Sequence, residues 1–167
     1  MENLKGLIRV GRVSAIYPEK ARARVAFEAH KLVSYELSVV QKQTLKNRDY
    51  WMPDVGEYVL CIFLPTGNAS GFIVGSLYSE QNIPDLNTND KRAMIFDDGT
   101  YIEYDRKAHL LTIDVPSGVI NININGPINI TATGNINVIG DVIADGISLK
   151  NHVHPENDDG GPTDPPQ

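Results

Sequence analysis

The chain has 167 residues, 41% of them hydrophobic, and a formal net charge of -6 at pH 7. This length suits one or two small domains, and the acidic balance argues against a nucleic-acid-binding protein, which usually has a basic face. A single cysteine excludes an intrachain disulfide and a cysteine-based zinc site, and no apolar run approaches the roughly 20 residues of a membrane span.

The first part of the chain has the pattern of a small all-β domain. Short runs typical of strands are separated by Gly and Pro, at residues 8–16, 21–27, 32–40, 58–64 and 71–78. The run 58–64 is apolar throughout, which predicts a strand buried on both faces. Five short strands fit a small closed barrel such as an OB-fold. No segment has a convincing helical pattern, although residues 41–49 have room for a turn or two.

A polar connector follows, and then the pattern of a β-meander. Asp97, Asp98 and Gly99 supply the turn of a hairpin, because Asp-Gly readily adopts the positive φ that a tight turn requires. Residues 106–109 predict a second turn. The two aspartates could also be a catalytic pair, but a turn aspartate before glycine is the commoner explanation.

The next stretch repeats an apolar residue at every second position, which is strand periodicity. The alternating apolar residues are Ile120, Ile122, Ile124, Ile128, Ile130, Ala132, Ile136 and Val138. A stripe one strand wide cannot bury itself. We therefore expect copies of this segment from several chains to wrap together, with the isoleucines inside and the intervening Asn and Thr facing water.

A His-x-His pair, His152 and His154, follows the repeat. Alternation places both rings on one side of a strand, and imidazole is a ligand for iron, zinc, copper and nickel alike. The apolar face is even-numbered up to Ala144, but it is odd-numbered at Ile147 and Leu149. The sequence therefore predicts a turn or bulge at residues 145–146 and another turn near residues 150–151.

The remaining candidate residues have structural explanations. His30 and His109 fall at strand ends or in turns, where solvated histidines are common, and Cys61 lies in an apolar run, as a small core residue does. Tyr50 and Trp51 either pack on the barrel or face a partner. No nucleophile lies in a plausible pair with a base, so we expect no enzymatic activity.

Residues 55–60, 65–70 and 71–78 resemble the OB domain of the baseplate assembly protein V family. These are the central spikes of contractile phage tails, similar also to R-type tailocin spikes and to the VgrG tips of type VI secretion. The ending Asp-Gly-Ile-x-Leu-x-x-His-x-His, residues 145–154, is the more specific part of the resemblance. The hairpin at residues 97–100 also matches.

The resemblance implies a homotrimer with a collar of OB domains and a triangular intertwined β-helix, or β-prism. His152 and His154 of three chains would supply six ligands to one iron ion at the tip. Six neutral nitrogens favour an octahedral ion, so zinc, usually tetrahedral, is the less expected metal. The implied domains are an OB-fold (residues 1–78), a linker (79–92), a β-meander at the base of the spike (93–118), the β-helix with its metal-binding tip (119–155) and a flexible or capping tail (156–167).

The implied function is structural: the membrane-piercing central spike of a contractile injection system. Its partners would be the baseplate hub, the tail tube and the host cell envelope at the tip. The N-terminus lacks a signal-peptide pattern, so we expect assembly in the bacterial cytoplasm and a final place in a virion or tailocin baseplate.

Other classes of function remain open from the residues alone. One is an OB-fold or β-solenoid binding module, and another is an envelope-directed, metal-dependent hydrolase. The hydrolase would need an open metal position and an acidic group near His152. A nucleic-acid-binding OB-fold is disfavoured by the charge.

Overall fold

The computed structural model describes residues 6–65 and 70–154. The chain divides into two compact units, Met1–Asp114 and Val115–Gln167. The described residues form strands and turns, with two short 3-10 turns at Pro18–Lys20 and Glu28–His30, which confirms the all-β prediction. None of their helical segments is long and apolar enough to cross a membrane.

Strands of the first unit form two separate sheets among the described residues. The first sheet contains β1 (Ile8–Tyr17), β2 (Arg22–Phe27), β3 (Leu32–Val33), β4 (Leu37–Val39), β5 (Tyr58–Phe63) and β6 (Gly71–Leu77). The second contains β7 (Lys91–Ile95), β8 (Tyr101–Asp105) and β9 (Leu110–Asp114).

The first sheet closes on itself. β1 pairs with both β2 and β5, β5 pairs with β6, β6 with β4, and β4 with β2, while the short β3 adds to β2. The pair of β4 and β6 is parallel and the others are antiparallel. The predicted closed barrel of five strands is therefore confirmed.

The third predicted strand, residues 32–40, is divided in two by a side chain. The Ser34 hydroxyl accepts a hydrogen bond from the Val25 backbone N–H at 2.9 Å and donates one to the Tyr35 carbonyl at 2.7 Å. The hydroxyl thus replaces a backbone partner of β2 at this point. The ladder resumes on the other side, where Leu37 lies opposite Ala23.

The core lies inside the barrel. It consists of Val13, Ala23, Val25, Phe27, Leu37, Val59, Cys61 and Ile73. The expectation that residues 58–64 are buried on both faces is wrong for the single chain, because only Val59 and Cys61 are buried and Ile62 is 38% exposed. A barrel strand has one inward face, so its apolar outward side chains remain partly uncovered.

The second sheet is the predicted meander. Gly99 has a φ of +84°, and the Asp98 carboxylate accepts a hydrogen bond from the Thr100 N–H at 2.9 Å. This confirms the turn explanation for that aspartate. At the second turn the Asp105 carboxylate accepts hydrogen bonds from the N–H groups of Lys107 and Ala108, at 2.8 and 2.9 Å. These bonds lower the pKa of Asp105, that from Ala108 most.

The described part of the second unit has little pairing of its own. Its strands are β10 (Ile143–Ala144) and β11 (Ile147–Ser148), and no strand is assigned between residues 115 and 142. Fourteen large apolar side chains of this unit are exposed: Val119, Ile120, Ile122, Ile124, Ile128, Ile130, Ile136, Val138, Ile139, Val142, Ile143, Ile147, Leu149 and Val153. The periodic stripe is thus uncovered in a single chain.

Candidate metal centre

The two turns predicted before the His-x-His pair are both present. Asp145 and Gly146, with φ values of +50° and +83°, connect β10 to β11. Ala144 lies opposite Ile147 across this hairpin. Cross-strand partners share a face of the sheet, so Ala144 and Ile147 point to the same side. The apolar positions therefore change from even-numbered to odd-numbered across the turn, as predicted.

The second turn covers residues 149–151 and redirects the chain towards the histidines. The His152 N–H donates to the Ser148 carbonyl at 3.1 Å, which closes the turn. The Leu149 N–H donates to the Val142 carbonyl at 2.8 Å and extends the hairpin ladder by one bond. The turn predicted near residues 150–151 is therefore confirmed.

The Asp141 carboxylate joins the start of this hairpin to the second turn. One oxygen accepts hydrogen bonds from the N–H groups of Val142 at 2.8 Å and Lys150 at 3.1 Å. The other accepts from the Ser148 hydroxyl at 2.5 Å. These bonds lower the pKa of Asp141, that from Ser148 most, because they stabilise the charged form.

The ring of His152 is held by two backbone carbonyls. Its Nδ1 lies 3.0 Å from the Ser148 oxygen and 3.1 Å from the Leu149 oxygen. A carbonyl oxygen only accepts, so Nδ1 must carry the hydrogen. In the neutral ring the lone pair is then on Nε2, which is the state a metal ligand requires.

His152 and His154 lie close together. Their ring centres are 5.1 Å apart and the rings are inclined at 84°. Two imidazoles that bind one ion at right angles have ring centres about 4.5 to 5 Å apart, given metal–nitrogen distances of about 2.1 Å. The described residues of one chain contain no group of three or more His, Cys, Asp or Glu that could hold a metal. His152 and His154 are thus the pair of potential imidazole ligands that the described part of the chain brings together.

Cys61 and His109, two of the other candidate residues, belong to the first unit. Cys61 is fully buried, and burial raises its pKa to about 11, so the thiol is protonated at neutral pH and confirmed as a core residue. His109 lies in an exposed turn with a φ of +55°. The side chain of His30, loop residues 66–69 and the predicted tail lie outside the described part of the chain.

Tyr50 and Trp51 pack on their own unit and also remain exposed. The Trp51 ring lies 6.0 Å from Phe96, and its backbone makes two hydrogen bonds with the Gln41 side chain. The Tyr50 hydroxyl donates to the Pro18 carbonyl at 3.2 Å. Both aromatic rings line a surface pocket of about 620 Å³ that also contacts Met94. No pattern in the sequence indicated this pocket.

Asp141 and Ser148 were not among the candidate residues predicted from the sequence. A signal was present, because Asp141 is one of few charged residues in a long run of Ile, Asn, Gly and Thr. The hairpin supplies hydrogen-bond donors to this carboxylate from residues later in the chain.

No protein-family model matches this chain. Among curated proteins, the Spike protein of Escherichia phage P2 is 26% identical to it over 130 residues. The chain is similar to a phage spike protein. The match covers 78% of this chain and 59% of the relative, so the chain spans about three fifths of the length of the protein it matches. This similarity supports a phage spike-like protein and agrees with the expectation of a structural, non-enzymatic chain. The narrower assignment to the baseplate assembly protein V family stays a prediction.

Proposed function

We propose that this chain is the structural subunit of a homotrimeric spike at the end of a contractile phage tail, where it pierces the cell envelope. The similarity to the phage P2 Spike protein, over 78% of the chain, is the observation that carries the proposal. The uncovered apolar stripe of the second unit supports the trimer independently.

The stripe supports assembly because its exposure is costly. Burying an apolar side chain of this size stabilises a protein by about 1.5 to 3 kcal/mol, so covering the exposed Ile and Val residues of the alternating stripe offers on the order of 10 kcal/mol per chain. Soluble monomers rarely expose large apolar patches, and fourteen large apolar side chains are exposed between residues 119 and 153. Copies of the same segment can cover it, because each presents an identical stripe.

The backbone of the stripe supports the same conclusion. No strand is assigned to residues 115–142 although their side chains alternate as in a strand. Strands that pair between chains have no ladder within their own chain, and paired backbone groups are the rule in folded proteins. In our proposal three chains supply these missing partners in an intertwined β-prism that resists axial load.

The metal centre completes the tip. His152 and His154 of three chains would supply six imidazoles to one octahedral ion, leaving no open position for catalysis. The hydrogen bonds of His152 Nδ1, which leave the lone pair of the neutral ring on Nε2, and the 5.1 Å ring separation support a shared ion. Iron is the metal that the family resemblance implies, with zinc less expected. The ion would stabilise three chain segments where unfolding would otherwise begin.

The barrel would form the collar that docks on the baseplate hub and tail tube. Its strand order, with one parallel pair between β4 and β6, supports the predicted OB-fold. The proposed location is the virion or tailocin baseplate, after assembly in the bacterial cytoplasm.

Mass and metal stoichiometry test the proposal together. Sedimentation equilibrium of the purified chain should give three times 18.4 kDa, and elemental analysis should give one iron per three chains. A double variant, His152→Ala with His154→Ala, should lose the iron. A monomer would refute the spike, and one metal in every chain would instead favour a metal-dependent hydrolase.

A further inference from the structure

We propose that Asp141 and Ser148 are positioning residues of the metal centre, which fix the turn that presents His152 to the ion through Nε2. The inference rests on the proposed metal-bearing tip. The observation that carries it is that Ser148 hydrogen-bonds the Asp141 carboxylate through its hydroxyl and the His152 ring through its backbone carbonyl.

Asp141 and Ser148 are joined by a hydrogen bond between their side chains. The Ser148 hydroxyl lies 2.5 Å from the Asp141 carboxylate and 2.8 Å from the Asn151 backbone nitrogen. A hydroxyl has one hydrogen, and the backbone N–H can only donate. The hydroxyl therefore donates to the carboxylate and accepts from Asn151, the residue before His152. The ionised carboxylate has no hydrogen to donate, so the Ser148 hydroxyl is the donor in this hydrogen bond.

Ser148 is linked to His152 through its backbone carbonyl. Its carbonyl accepts from both the N–H and the Nδ1–H of His152, at 3.1 and 3.0 Å. Ser148 thus holds the turn with its side chain and orients the imidazole with its main chain. Partners that orient a metal-binding histidine in this way commonly change metal affinity about 10- to 100-fold when they are removed.

Asp141 also forms hydrogen bonds with the backbone of the turn itself. The same carboxylate accepts from the Lys150 N–H inside the turn and from the Val142 N–H at the start of the hairpin. Replacement by Asn keeps an oxygen for these two donors but turns the other carboxylate oxygen into an NH₂ group. That group donates to the Ser148 oxygen instead of accepting from it, so the Ser148 hydroxyl hydrogen loses its acceptor.

Four variants of the full-length chain test the inference. Asp141→Asn and Ser148→Ala remove the hydrogen bond from the Ser148 hydroxyl to the Asp141 carboxylate, whereas Ser148→Thr keeps the hydroxyl. Asp145→Asn is the matched control, because it makes the same change of charge in the neighbouring tight turn, where Asn is also favoured. Each is measured for mass by sedimentation and for iron retained in a titration with a competing chelator.

We expect all four variants to form trimers. Asp141→Asn and Ser148→Ala should release iron at about 10- to 100-fold lower chelator concentration than the wild type, while Ser148→Thr and Asp145→Asn should retain it. Wild-type retention in Asp141→Asn and Ser148→Ala, or equal loss in Asp145→Asn, would overturn the inference. A wild-type trimer without iron would instead refute the proposed metal centre.

A measurement on the unsubstituted chain is independent of whether any variant folds. Long-range proton–nitrogen NMR of the metal-free protein, labelled with ¹⁵N-histidine, reports the tautomer of each neutral ring. His152 should carry its hydrogen on Nδ1, and Asp141→Asn should increase the share with hydrogen on Nε2. A wild-type His152 with hydrogen on Nε2 would contradict the positioning role.

Discussion

Ile130 offers a sharp test of the shared core, because it lies in the repeat and is 71% exposed in a single chain. If the stripe faced water, Ile130→Asn would be neutral. If three chains bury it, each chain loses about 2 kcal/mol of apolar burial and gains a buried amide that costs about 1 to 3 kcal/mol. The substitution occurs three times in the trimer, so the assembly should lose on the order of 10 kcal/mol.

The assay is sedimentation velocity across a hundredfold range of chain concentration, together with thermal melting. Ile130→Asn should dissociate on dilution, or unfold at a clearly lower temperature than the wild type. Thr131→Asn is the matched control, because it places the same side chain on the opposite face of the repeat. If both variants remained trimers with equal melting temperatures, the reasoning from the apolar stripe would be refuted.

Three further predictions concern the first unit and the pH dependence. A Cβ at Gly11 would lie 2.6 Å from the Ala26 carbonyl oxygen, so Gly11→Ala should destabilise the barrel by about 1 to 3 kcal/mol in denaturant unfolding, and no change would contradict the packing. The Cys61 thiol should react with Ellman's reagent only after unfolding, and the free energy of unfolding should fall between pH 9.0 and about 11, because the unfolded thiol ionises first. The pKa values of Asp105 and Asp141 are lowered in the folded chain, so both carboxylates contribute stability above pH 3.8 that is lost as the pH falls below it. The melting temperature should therefore fall below pH 3.8, and it should fall less steeply in Asp105→Asn than in the wild type.

Features that depend on near neighbours along the chain were predictable from the residues alone. The barrel strands follow from alternation and the hairpin turns from Asp-Gly, because both preferences act within a few residues. The change of face at residues 145–146 was predictable for the same reason. A strand has a side-chain period of two, so the shift from Ala144 to Ile147 required a turn between them.

Contacts between groups far apart in the sequence became visible only in the folded chain. The Ser34 hydroxyl interrupts one predicted strand because it reaches Val25 on a neighbouring strand. The apolar run in β5 is buried on only one face because the sheet closes into a barrel. The residues of β5 alone do not show that closure. The bond between Asp141 and Ser148 forms because the hairpin folds the chain back on itself, bringing together residues seven positions apart. Such hydrogen bonds depend on distance and direction in space, and these are set by the fold as a whole.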